Sequence, residues 1–103
     1  VNIYPQETDD VLLRHPAVAD VCTVGIPNEE WGEEVKSVVM LKVEISLTDA
    51  MATDLIDFVK EHLPGFKCPR TIDFVEELPR LPSGKIQRKQ VRAPYWAGRK
   101  KQI

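Results

Sequence analysis

A chain of 103 residues carrying 16 acidic and 14 basic side chains, net charge −2, has room for one modest core and not for two. No apolar run approaches the roughly 18 residues that a membrane span requires and no signal peptide is visible, so a soluble, cytoplasmic protein is expected. The two cysteines, Cys22 and Cys68, have no Cys-x-x-Cys spacing and no clustered histidines beside them, which excludes a zinc site and leaves no metal ligands expected.

The chain begins at Val1 and runs straight into "VNIYPQE", so it reads as a piece of a longer protein. Pro5, pre-set for a first helical turn, and the early acids Glu7, Asp9 and Asp10 predict a helix from about Gln6 to Arg14. Its stripe is Thr8, Val11, Leu12 and His15. Pro16 stops it, because the residue before a proline avoids the helical region. The β-branched run "AVADVCTVGI" predicts a strand closed by Pro27 and Asn28. Within it Cys22 reads as a small buried hydrophobe. "PNEEWGE" has turn chemistry, and "EEVKSVVMLKV" reads as a second strand.

Thr48 is placed to cap a helix through "DAMATDLIDFVKEHL", with Ala52, Leu55, Ile56, Val59 and Leu63 on one face and Pro64 and Gly65 ending it. His15 and His62 fall near helix C-termini, where a histidine meets free carbonyls. "TIDFVEEL" is a third strand, "LPRLPSGK" a proline-bounded loop, and "IQRKQVR" a short helix stopped near Pro94. The order of elements implies an α+β fold, a small sandwich of a short three-stranded mixed sheet flanked by about three helices.

All 16 acidic residues lie at or before Glu77, while eight of the 14 basic ones lie from Arg80 onward. Such a tail is a solvated helix face, a surface for a phosphorylated ligand or a nucleic-acid arm. Against the last, its aromatics Tyr95 and Trp96 are adjacent, not spaced among the charges as stacking platforms. No nucleic-acid partner is expected. Within this tail "RLPSGKIQRK" sets Lys85 on a Pro-Ser-Gly turn. It is not a phosphate loop of the Walker type, which needs a glycine where Pro79 stands and a Ser or Thr where Ile86 stands.

Four segments in order, "NIYPQE" (2–7), "HPAVADVCTVGIPNEEWGEEVKSVV" (15–39), "FKCPR" (66–70) and "ELPRLPSGKIQRKQVR" (77–92), resemble the C-terminal domain of the adenylate-forming superfamily. That superfamily includes acyl-CoA synthetases, firefly-type luciferases and peptide-synthetase adenylation domains. "WGE" and "FKCPR" are most similar to fatty-acyl or aryl CoA ligases. The resemblance covers nearly all of residues 1–103 and implies a mobile lid whose large N-terminal partner domain, which binds ATP and the acid, lies outside this chain.

By that resemblance the whole enzyme is an AMP-forming acid–thiol ligase. A carboxylic acid, most simply a fatty acid, attacks the α-phosphate of MgATP, and coenzyme A then displaces AMP from the acyl-adenylate. The family's adenylation lysine falls on Lys85, in a loop made by Pro82, Ser83 and Gly84, with Leu81 and Ile86 placed to anchor its two sides. The pantetheine-contacting asparagine falls on Asn2, and the two aromatics that sandwich the CoA adenine in some members fall on Trp31 and Phe66. Read from the residues alone, Asn2 is equally a turn residue and the aromatics equally packing. Where some members carry a phosphate-binding arginine this chain has Cys68, so Lys67 or Arg70 would have to supply the charge. The implied partners are the N-terminal domain, ATP with Mg2+, the acid and CoA, and the isolated chain is expected to be inactive. Two other readings stand: an adenylation domain that loads a carrier protein, and a non-enzymatic interaction module with a basic tail.

Overall fold

Val21 and Cys22 are neighbours in the chain but belong to different cores, because successive side chains of a strand point to opposite faces of a sheet. The computed structural model describes residues 3–98. Strand β1 (Val18–Asn28) pairs antiparallel with β2 (Gly32–Leu41), and β2 pairs parallel with β3 (Thr71–Phe74), in the order β1-β2-β3. Helices α1 (Pro5–Leu12) and α2 (Met51–Lys60) cover one face, where Val11, Leu12, Leu55 and Val59 pack on Val21, Val39 and Ile72. Helix α3 (Arg88–Trp96) covers the other through Val91, against Cys22, Val24 and Val38. The expected α+β sandwich, a three-stranded mixed sheet with three helices, is what forms.

The boundaries depart from expectation for identifiable reasons. Helix α1 ends at Leu12 and not Arg14, since the chain ahead of Pro16 tightens into i→i−3 bonds from Arg14 to Val11 and His15 to Leu12. His15 does not cap it: its Nδ1 accepts the Ala17 N–H at 3.0 Å. His62 does meet a carbonyl, Phe58 O at 2.9 Å. Pro27 and Asn28 do not close β1 but belong to it, paired with Glu33 and Gly32 on either side of a tight hairpin turn. Thr48 is not the cap of α2; Ala50 holds that position without a side-chain bond, and Thr48 gives only its carbonyl, to Met51 N–H at 3.1 Å.

Strand β3 is four residues long, half the stretch expected, and after Val75 N–H bonds Val39 O the chain leaves the sheet. Helix α3 starts at Arg88, because Ile86 is engaged in an antiparallel bridge to Arg80, and it continues through Pro94 instead of stopping there. A proline inside a helix forfeits a backbone bond. Here tertiary anchors outweigh that loss: Trp96 Nε1 donates to Gly25 O at 2.8 Å, and the Tyr95 hydroxyl bonds the Asp73 carboxylate. Among the described residues no helix is long and apolar enough to cross a membrane.

Candidate functional site

Lys85 follows a turn in which Pro82 and Gly84 are suited to the backbone geometry. Gly84 N–H bonds Leu81 O at 2.7 Å, and Leu81 N–H bonds Lys85 O at 2.8 Å. That is the pattern of a three-residue hairpin loop closed by a glycine bulge. Pro82 presets φ at the first central position, and Gly84, at φ +95°, occupies a conformation that a side chain rarely adopts. Pro82, Ser83, Gly84 and Lys85 are all exposed. Among the described residues the Lys85 ammonium has no ion-pair partner.

Ile86 anchors this loop as expected, packed against the α3-side core. Leu81 does not, being 43% exposed. Its place is taken by Arg80, whose guanidinium bonds both the Gly84 carbonyl and the Asp20 carboxylate. On the far side, Arg88 reaches the buried carboxylate of Asp9 at 3.1 Å and the Thr23 carbonyl at 2.6 Å. Asp9 also accepts Thr23 N–H at 2.8 Å. Burial drives the Asp9 pKa up and outweighs its hydrogen bonds and the Arg88 charge, which pull it down. Lys85, Arg80, Arg88, Asp20 and Asp9 line one crevice of about 290 Å³ between the loop and α1.

A second site is built at the β1–β2 hairpin. Asn28 Oδ1 accepts the backbone N–H groups of Glu30 and Trp31, at 2.8 and 2.9 Å, and its Nδ2 donates to Glu34 at 2.7 Å. This fixes the turn that presents Trp31, half of whose surface is exposed (51%). Phe66 projects from a single 3-10 turn, Gly65–Lys67, at 59% exposure, held edge-on by Tyr4 at 5.9 Å between ring centroids. Trp31 and Phe66, 35 positions apart in sequence, line the same groove of about 370 Å³ with Arg70. The Arg70 backbone is tied to Val35 O at 2.8 Å, and its guanidinium carbon lies 4.3 Å from the Trp31 ring centre.

Lys67, weighed beside Arg70, does not line the groove: its ammonium pairs with Glu7 at 2.8 Å and sits over the Tyr4 ring, 5.6 Å from the centre of Phe66. Cys68 is buried, its thiol directed at Leu63 and Pro64 carbonyls, with burial raising its pKa. Cys22 is fully buried and its thiol is pushed up to about 11, mainly by desolvation. Asn2 lies outside the described residues. The two sites stand far apart: Asp20, which holds the Lys85 loop, and Asn28, which holds Trp31, are separated by eight residues of β1, about 26 Å at ~3.3 Å per residue.

Part of the basic segment is engaged within the fold. Of the five basic residues from Arg80 to Arg92, Arg80 pairs with Asp20, Arg88 with Asp9 and Arg92 with Glu33. Among the described residues no group of three or more His, Cys, Asp or Glu could hold a metal ion.

Sequence and structure comparisons agree on relatives. A medium/long-chain-fatty-acid–CoA ligase of Mycobacterium tuberculosis is 39% identical over 94% of this chain. A fatty acid–[acyl-carrier-protein] ligase of Streptomyces coeruleorubidus is 40% identical over 92% of it. The crystal structure of a Brucella canis acyl-CoA synthetase superposes with a TM-score of 0.85 at 40% identity, over 96% of this chain. The chain spans 18% of the length of each of these proteins. The family model described as the AMP-binding enzyme C-terminal domain matches residues 7–85, ending on Lys85 itself, and the chain therefore belongs to that family.

Proposed function

We propose that this chain is the mobile C-terminal domain of an AMP-forming acid–thiol ligase, which activates a fatty acid with ATP and passes the acyl group to coenzyme A. The observation that carries the reading is the separation of two unlike sites on one small fold. One is an exposed ammonium on a tight turn beside Asp20 of β1, and the other is an aromatic groove beside Asn28 at the far end of the same strand.

In the first step a carboxylate oxygen attacks the α-phosphorus of ATP and pyrophosphate leaves. Both reactants are anions, and the pentacoordinate state gathers charge on oxygens. Lys85 meets that charge as a mobile cation, a contribution of about 3 kcal/mol for one well-placed donor. Its exposure and lack of an internal partner fit a residue whose substrate is held on the N-terminal domain. In the second step the CoA thiol gives up its proton, its sulfur attacks the acyl carbon, and AMP leaves. Trp31 and Phe66 stack the CoA adenine there, Arg70 pairs with a CoA phosphate in place of the arginine absent at Cys68, and Asn2 contacts the pantetheine. The domain presents one site per step by rotating as a rigid body. Mg2+ belongs to the N-terminal domain in this scheme, and no residue here is assigned to it. A cytoplasmic setting fits these substrates.

A second reading, in which the acceptor is a carrier protein's phosphopantetheine arm, is favoured by one observation, the relative named as an acyl-carrier-protein ligase. The test supplies the full-length enzyme with fatty acid and ATP and either free CoA or a pantetheinylated carrier. Saturable acyl-CoA formation supports the first reading. Transfer to the carrier alone replaces it with the second, and absence of acid-dependent pyrophosphate release from the full-length protein overturns both.

A further inference from the structure

We infer that Arg80 is a positioning residue for Lys85, a clamp that fixes the turn on the body of the domain so that the ammonium arrives aimed at the reacting phosphate; the inference rests on the role given to Lys85 above.

A hairpin turn of four residues, all exposed, has no packing of its own to set its direction. Leu81, the residue placed to anchor its first side, is 43% exposed and does not. Backbone bonds close the loop upon itself, from Leu81 to Lys85 and from Gly84 to Leu81. Ile86, directly after Lys85, packs into the α3-side core with Cys22 and Val24 of β1 and holds the returning side of the loop. The outgoing side is joined to β1 by Arg80. One arm of its guanidinium donates to the carbonyl of Gly84, the residue directly before Lys85, and the other pairs with Asp20 of β1.

The Asp20 side chain is itself oriented, its Oδ1 accepting Val21 N–H at 3.0 Å. Asp20 is thus a fixed post, Arg80 a rigid planar fork, and the peptide preceding Lys85 the part held. The Arg80–Ile86 bridge and the Gln87 N–H bond to Pro79 O at 2.9 Å keep the two strands of the loop together but do not fix it to β1. Arg88 anchors the start of α3, three residues beyond Lys85, to Asp9, so the segment stays attached without Arg80 and only the aim of its tip is lost. Misplacement of a catalytic group by about 1 Å costs rate steeply, whereas an ion pair whose Arg80 side is 44% exposed contributes modestly to folding.

The test measures both half-reactions in the full-length enzyme for Arg80→Ala, Lys85→Ala and the double variant: acyl-adenylate formation from acid and ATP, and acyl-CoA formation from preformed acyl-adenylate and CoA. Arg80→Ala is expected to slow adenylate formation on the order of tenfold or more, with transfer from the adenylate near wild type. The double variant should be no slower than Lys85→Ala alone, because a clamp has no effect once the group it aims is gone. Arg80→Lys covers the case in which the alanine variant fails to fold. Its ammonium lacks the planar fork and holds Asp20 and the Gly84 carbonyl less rigidly, so it should keep close to the wild-type melting temperature and still lose part of its adenylation rate. Unchanged adenylation in Arg80→Lys, multiplying losses in the double variant, or equal loss in both half-reactions of Arg80→Ala overturns the clamp. A normal split for Lys85→Ala beside such a result leaves the Lys85 role standing, whereas equal loss for Lys85→Ala alone removes both.

Discussion

Arg70 lies over Trp31, with its guanidinium carbon 4.3 Å from the ring centre, and Phe66 lines the same groove. A cation parked on an exposed indole is a weak, displaceable occupant, and under the proposed function an adenine takes the same face. Trp31→Ala and Phe66→Ala are each expected to raise the Michaelis constant for CoA, from a loss of about 1 to 3 kcal/mol by analogy with base stacking, while acyl-adenylate formation stays nearly intact. Steady-state kinetics with CoA as the varied substrate, beside pyrophosphate release, make the comparison. Equal damage to both half-reactions would make these aromatics structural.

Gly84→Ala isolates backbone geometry from packing. A Cβ there meets no atom within 4 Å, yet φ is +95°, so the only penalty is conformational, about 1 kcal/mol or somewhat more. Adenylate formation should fall while the melting temperature of the domain shifts by only a few degrees. A collapse of the fold in this variant would contradict the view that the turn is a projecting feature with no part in the core.

The contrast between those two sites shows what the sequence could and could not reveal. Strand β1, the α2 face and the Pro-Ser-Gly turn were legible because their information is local: alternation, helical spacing and a residue demanding positive φ. The ends of elements were not. Pro94 sits inside α3 because Trp96 and Tyr95 are tied to Gly25 and Asp73, and Ile86 leaves the helix because Arg80 bridges it. Gly25 and Asp73 are far from α3 in sequence, and Arg80, though only six positions from Ile86, meets it through a bridge that no helical spacing announces. The same holds for the clamps: Arg80–Asp20 and Arg88–Asp9 span 60 and 79 positions, and no spacing rule brings them together. Lys67 and Arg70 were equivalent on paper, and the fold separates them, the first in the 3-10 turn beside Glu7 and the second tied by its backbone to Val35 and lying over Trp31.

Asp73 should govern part of the acid sensitivity of the fold. Its partial burial opposes ionisation, but the hydrogen bonds from Lys36 and Tyr95, with the Lys36 charge, together outweigh that and hold its pKa below the ordinary 3.8. A depressed folded pKa gives stability that is fully present above the unfolded value and is lost as pH falls through the folded one. Asp9, with a raised pKa, contributes with the opposite sign, so only a difference between variants isolates Asp73. Asp73→Asn should lower stability by about 1 to 2 kcal/mol near neutral pH, with the gap to wild type closing as pH drops below the carboxylate range. Thermal melts of the domain from pH 7 to strongly acidic conditions check this. A gap that stays constant throughout would assign the effect to shape and not to charge.

The central claim, that one fold serves two steps with two sites, is tested most directly by Lys85→Ala in the full-length enzyme. If Lys85 acts only while carboxylate meets α-phosphate, its loss slows adenylate formation on the order of a hundredfold or more. Thioester formation from supplied acyl-adenylate and CoA should proceed at close to the wild-type rate, since by then the domain has turned and Lys85 has left the reacting atoms. Measuring acyl-CoA from both starting points in the same preparation gives the answer. Near wild-type turnover from the adenylate with little from acid plus ATP is the predicted result; comparable loss from both would contradict it.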